Sequence, residues 1–227
     1  MADSDDKDNV VRKVPVPKAD LQVNFTTWIA GKLIYRIHSA EFTATQFNPG
    51  KGNARFSPMD NGVSTLYGGV STGVAVMETI FHDLPPPDSA GAPYDLGKLE
   101  GLVHSAVKPS EDLHLVDLNP KTLRKMGVKR ADILDSSADQ YVFTLEYSVA
   151  IHQAYPAAQG MQWSSKQHGD TALMLFGDRV RSEQFGVDIE SERVLESETV
   201  MDVIEQEADQ LGVVLIEPQG GNEPGKI

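Results

Sequence analysis

The sequence predicts an α+β fold: a single domain with a mainly antiparallel central sheet flanked by helices. Three observations carry this. Segments with strand patterning outnumber helical ones, the two kinds do not alternate as a doubly wound sheet requires, and no internal repeat is present. At 227 residues the chain can bury most of its apolar surface in one core. Its 40% hydrophobic and 23% charged content is that of an ordinary globular protein.

The first 24 residues carry four Asp in the first eight positions and then V-P-V-P. That composition predicts a mobile acidic N-terminal arm ending in an extended segment. Residues 32–39, K-L-I-Y-R-I-H-S, alternate as a strand, with Leu33, Tyr35 and Ile37 on one face and Ile34, Arg36 and His38 on the other. A guanidinium in mid-strand calls for a partner, unless the strand is an edge and Arg36 faces solvent. Residues 47–58, F-N-P-G-K-G-N-A-R-F-S-P, form a glycine-rich loop in which Gly50, Gly52 and Asn53 tolerate positive φ. With Lys51 and Arg55 it could offer backbone N–H groups and cations to a phosphate. It fits neither the Walker A nor the dinucleotide pattern, and an ordinary surface turn is the plain alternative.

The stretch 66–84, L-Y-G-G-V-S-T-G-V-A-V-M-E-T-I-F-H-D-L, organises the rest. It predicts a strand ending at Tyr67, a turn at Gly68 and Gly69, and an amphipathic helix capped by Ser71 or Thr72. At about 100° per residue, Val74, Val76, Met77, Ile80, Phe81 and Leu84 share an apolar arc. Glu78 falls at the rim of that arc. There a carboxylate either looks into a cleft or is simply a solvated helix residue.

Farther on, P-P-P at 85–87 and D-S-A-G-A-P form a loop. Residues 96–107 and 113–118 are expected as strands, 120–126 as a short helix ending at Gly127, and 138–155 as a longer helix stopped by Pro156. Residues 161–165 and 172–176 follow as strands, 201–211 as a helix and 213–216 as a last strand. The body of the fold is thus expected over 25–217, with a flexible tail over 218–227.

Composition excludes several functions. A net charge of −13 opposes nucleic-acid binding, which needs clustered cations. The absence of Cys removes disulfides, thiolate metal sites and a Cys nucleophile. The six His are scattered without H-x-x-H or H-x-x-x-H spacing. The acidic start is no secretory signal, and no apolar run reaches the ~18 residues of a membrane span, so a cytoplasmic location is expected. One rival motif stands: Gly69-Val70-Ser71-Thr72-Gly73 fits G-x-S-x-G between a strand and a helix. With His152 or His168 as base, Ser71 would make the chain a serine hydrolase.

Taken together, Y-R-I-H-S, F-N-P-G-K-G-N-A-R-F-S-P, T-L-Y-G-G and A-V-M-E-T-I-F-H-D-L resemble the RES-domain family in order and spacing over residues 32–84. Downstream, G-M-Q-W-S-S is similar to the segment that carries the family's Ser. The family's usual aromatic, variable residue and Ser point to Ser165 rather than Ser164. RES proteins are toxins of bacterial toxin–antitoxin pairs, named for an Arg, a Glu and a Ser. The resemblance implies an ADP-ribosyltransferase-like fold and cleavage of NAD at the nicotinamide–ribose bond, with water or phosphate as acceptor; transfer of ADP-ribose to a protein is the alternative. It implies Arg36, Glu78 and Ser165 as the site triad, with Arg55 and Tyr67 as companions. The partner it implies is an Xre-type antitoxin with a helix-turn-helix domain; no nucleic acid or membrane contact by this chain is expected.

The chemistry suits these residue types. Loss of nicotinamide leaves an oxocarbenium-like ribose, whose developing charge a carboxylate such as Glu78 would stabilise. Arg36 or Arg55 would pair with the pyrophosphate through forked donors. Tyr67 would stack on a ring and Ser165 would give a positioning hydrogen bond. No cofactor metal is called for, because the leaving group is already cationic.

Overall fold

A computed structural model describes residues 10–84 and 91–218. The first nine residues of the expected arm, the Pro-rich stretch 85–90 and the tail beyond 218 lie outside the described residues. Ten strands and five α-helices are present among the described residues. Strands β1 (Phe25–Trp28), β2 (Ile34–Ser39), β3 (Thr65–Gly69), β5 (Leu102–Pro109), β6 (Leu113–Asp117), β7 (Gly160–Ser164), β8 (Thr171–Phe176) and β9 (Phe185–Arg193) form one sheet in the order β1-β6-β7-β8-β3-β2-β5-β9. Within it only β6 and β7 run parallel. A second, two-stranded parallel sheet joins β4 (Pro93–Asp95) to β10 (Val214–Ile216). The fold is α+β and mainly antiparallel, as the patterning predicts.

Why the core closes is visible in β8. Ala172, Met174 and Phe176 enter one apolar cluster while Leu173 and Leu175 enter another, so this central strand is buried on both faces. The first cluster packs beneath α2 (Pro120–Met126) and α4 (Tyr141–Ala154), through Leu123, Met126, Tyr147 and Ile151. A third cluster holds α1 (Thr72–Thr79) and α5 (Glu198–Leu211) together, with Val76, Met77 and Ile80 meeting Val200, Ile204 and Ala208. The helical period of the 66–84 stretch is therefore a packing period.

Several expectations need correction. Gly68 and Gly69 make no turn; β3 runs through both. They are glycines because the backbone is crowded there. A Cβ on Gly68 would lie 2.4 Å from Ile34 Cγ2, and one on Gly69 would lie 2.3 Å from Val74 Cγ1. Residues 10–24 are not a free arm. Val14 and Leu21 are buried in the core, Arg12 pairs with Glu146 at 2.7 Å, and Tyr147 donates to the Pro15 carbonyl at 2.9 Å. The expected strand 96–107 splits: the Asp95 side chain accepts from the Gly97 N–H, a 3-10 turn covers Leu96–Leu99, and β5 starts after Gly101 at φ +74. Elements at β1, β4, β9 and the one-turn α3 (Arg130–Ile133) are not anticipated by the sequence reading.

Candidate active site

The site begins with a defect in the sheet. β2 pairs with β5 over six residues, yet with β3 only through Tyr35 and Gly69. Beyond that pair the two strands part. The gap is a cleft of about 340 Å³, with Arg36–Ser39 on one wall and Thr65 and Tyr67 on the other. The glycine-rich loop closes one side. Asn48 and Thr65 exchange backbone hydrogen bonds at 2.8 and 2.9 Å, which ties the loop to the first residue of β3.

Arg36 is the central feature of the cleft. It is only 4% exposed, its Nη1 donates to the Ala44 carbonyl, and its Nη2 donates to the Gln46 carbonyl at 3.3 Å. Its Nε is buried without a partner, and among the described residues it makes no ion pair. Burial alone drags its pKa down to about 9. A cation held in low dielectric without a counter-ion is costly, and it makes a strong binding site for any anion that reaches it. The edge-strand alternative fails because β2 is central.

His38, two residues on and on the same face, lines the cleft as well. Its Nδ1 faces the Ser39 carbonyl at 3.0 Å and its Nε2 meets Ser105 Oγ at 2.9 Å, while Ser105 Oγ also accepts from the Ser191 N–H. A carbonyl only accepts, so Nδ1 carries the proton and Nε2 receives the Ser105 hydroxyl. Burial, followed by the nearby Arg36 charge, lowers the His38 pKa to about 4. It is a neutral wall residue with a fixed tautomer.

Ser71 caps α1, its Oγ accepting from the Val74 N–H at 3.2 Å. Six residues into that helix Glu78 is half-buried, and among the described residues it makes no hydrogen bond or ion pair. Its charge acts on Tyr67 and Tyr141, helping to raise both phenols, for each of which burial is the largest cause. Tyr67 is held in place from two directions. Its Oη accepts from the Phe56 N–H at 3.1 Å, and its ring meets Trp163 edge-to-face at 6.1 Å. The sheet gap and the loop thus bring Arg36 and Tyr67 to one cleft, and α1 holds Glu78 near enough to Tyr67 and Tyr141 for its charge to act on both.

Ser165 follows β7, two residues beyond that Trp163. It is 1% exposed and its Oγ is buried without a hydrogen-bond partner. The neighbouring Ser164 is exposed and donates to the Gly169 carbonyl. No hydrogen bond joins Ser165 to Arg36, Tyr67 or Glu78. Both unpartnered groups, Arg36 Nε and Ser165 Oγ, suit a polar ligand.

Arg55 departs from expectation. Its Nη1 donates to the Ile133 carbonyl at 3.1 Å and to Ser136, and its guanidinium lies over the Tyr141 ring at 5.1 Å. Tyr141 in turn donates to Asp83 at 3.0 Å. The donors expected to meet a pyrophosphate are instead spent on staples between the loop and α3–α4. Of the two loop cations that the sequence offers to a phosphate, the one that lines the cleft is Lys51.

The hydrolase reading loses its base. His152 meets Asp178 at 2.9 Å and Asn61 at 3.3 Å, and His168 lies 3.6 Å from both Asp170 and Glu207. Neither is hydrogen-bonded to Ser71, which serves as a helix cap. No helix among the described residues is long and apolar enough to cross a membrane.

Comparison with known proteins agrees with this fold. A chain of the crystal structure of the M. tuberculosis MbcT-MbcA toxin-antitoxin complex is similar in fold, with a TM-score of 0.52 at 15% identity, covering 78% of this chain and 91% of that one. A search of curated proteins finds no match. The RES domain family model matches residues 33–193, which span β2, the glycine-rich loop, α1 and Ser165. The chain belongs to the RES domain family.

Proposed function

We propose that this protein is the toxin of a bacterial toxin–antitoxin pair and that it cleaves NAD at the nicotinamide–ribose bond, depleting the cell of NAD. The observation that carries the reading is the buried, unpaired Arg36 guanidinium at the sheet gap, in a cleft shared with Tyr67, on which the charge of the half-buried Glu78 acts. An uncompensated cation in the cleft and a half-buried carboxylate acting on Tyr67 suit a substrate with a dianionic pyrophosphate at one end and a developing ribosyl cation at the other.

In this mechanism Arg36 holds the pyrophosphate and so fixes the nicotinamide ribose relative to α1. Glu78 accepts from a ribose hydroxyl and stabilises the positive charge that grows as the C–N bond lengthens. Tyr67, locked by Phe56 and Trp163, offers an aromatic face to a ring of the substrate. Ser165 donates or accepts a single positioning hydrogen bond. Nicotinamide leaves as a neutral molecule, and water or phosphate takes its place on the ribose.

Membership of the RES family and the fold shared with a chain of a toxin–antitoxin complex support a cognate antitoxin as partner. The test is release of nicotinamide from NAD by the purified protein, with and without inorganic phosphate. Release is expected, and its phosphate dependence separates phosphorolysis from hydrolysis. Release only when a cell lysate supplies a protein acceptor would replace this reading with a protein ADP-ribosyltransferase.

A further inference from the structure

We propose that Lys51 is the second phosphate-binding cation of the cleft and that Glu41 holds it in reserve, competing with the incoming pyrophosphate; this role presupposes the NAD-cleaving function. Arg36 supplies one cation, but two of its five N–H groups already donate to carbonyls and hold the guanidinium in place, which leaves fewer donors for an anion. A pyrophosphate carries two negative charges and calls for more than that. Arg55 is unable to answer, being committed to Ile133, Ser136 and Tyr141. Lys51 lines the same cleft as Arg36.

The loop fixes where Lys51 starts. Asn48 Oδ1 accepts from the Gly50 and Lys51 N–H groups at 2.9 and 2.7 Å, and Asn48 Nδ2 donates to the Lys51 carbonyl at 2.8 Å. Since Asn48 is itself paired with Thr65 at the head of β3, the Lys51 backbone is tied to the cleft wall. Its side chain stays free to move: it is 62% exposed and its Nζ meets Glu41 Oε2 at 2.6 Å. Glu41 and the adjacent Phe42, whose ring lies 5.6 Å from the ammonium, are cleft-lining residues too. An exposed ion pair of this sort is weak and screened, so a doubly charged phosphate ester beside a buried arginine displaces the carboxylate readily. Glu41 then acts as a like-charge filter at the mouth, tuning affinity.

The opposite signs expected of the two partners make the test decisive. ADP-ribose, which keeps the pyrophosphate but has no scissile bond, is titrated calorimetrically into the full-length wild type, Lys51→Ala, Lys51→Arg and Glu41→Gln. Lys51→Ala is expected to weaken binding about 10-fold or more, Lys51→Arg to restore most of it, and Glu41→Gln to tighten it about 3-fold. A surface pair that serves only structure would weaken binding, or leave it unchanged, on loss of either partner. Equal affinity in wild type and Lys51→Ala, or weaker binding in Glu41→Gln, overturns the role of Lys51 and leaves the NAD reading standing. No binding of ADP-ribose to the wild type overturns both.

Discussion

At the scale of single residues, the site is defined by groups left without partners. Among the described residues Arg36 has no counter-ion, Ser165 Oγ has no hydrogen bond, and the Glu78 side chain has neither. The alternation of 32–39 is enough to set Arg36 and His38 on one face, and the family motifs are what nominate Glu78 and Ser165. What the residues alone hide is direction. Arg55 sits in a glycine-rich loop next to Lys51, and nothing local says which of the two turns inward. That is decided by Ser136 and Tyr141, some eighty residues away. His38 gives a prediction of its own. Its folded pKa is about 4, below its ordinary value, so on acidification the unfolded chain takes up a proton that the folded chain refuses. Stability is therefore lost as pH falls from about 6.5 towards 4 and is insensitive to this group above 6.5. Thermal denaturation between pH 7 and pH 5 should show a shallower decline in His38→Gln than in wild type; identical slopes would remove His38 as the cause.

At the scale of elements, α1 is what carries Glu78 towards Tyr67, and its entry is set by glycine and serine. Ser71 caps it and Gly69 lets Val74 lie against β3. Replacing Gly69 with Ala forces a Cβ into Val74, which is overpacking at the root of the helix. We expect a loss of about 2 kcal/mol in stability and a fall in NAD turnover as Glu78 shifts. Ser71→Ala should cost about 1 kcal/mol through the lost cap, while turnover stays within about 2-fold of wild type. Urea denaturation with parallel activity assays reads both; abolished activity in Ser71→Ala would revive the serine hydrolase. The helix and its cap are legible in the sequence because Ser-Thr-Gly before an apolar period is a local signal. The role of Gly68 and Gly69 is not, since a glycine pair means a turn or a close approach, and only the packing of Ile34 and Val74 selects the second. β9 was within reach, because Phe185, Val187 and Ile189 alternate. Its exposed, acidic character hides it as an edge strand.

At the scale of the whole molecule, the fold class follows from the count and spacing of strands, but the gap that makes the site does not. No property of β2 or β3 alone says that they pair through a single residue and then part. Nor does composition reveal that a segment so rich in polar residues and proline continues into the core. Val14 and Leu21 are two among several apolar side chains interleaved with charges and prolines there, and which of them are buried is a tertiary fact. Leu21→Ala should accordingly destabilise the protein by about 3 kcal/mol, a magnitude no free arm would give. A midpoint in urea unchanged by that substitution would mean that residues 10–24 do not hold to the core in solution. The charge of −13 is not mirrored in the cleft, which is lined by the cations Arg36 and Lys51 and the carboxylate of Glu41.

The central claim is that a carboxylate on α1 drives cleavage of NAD. The most direct measurement is nicotinamide release by Glu78→Gln beside wild type, at equal folded concentration confirmed by circular dichroism. Gln keeps the size and a hydrogen bond to ribose but removes the charge. A fall of about 100-fold or more in turnover is what stabilisation of an oxocarbenium-like ribose predicts. Turnover in Glu78→Gln equal to that of wild type would contradict it.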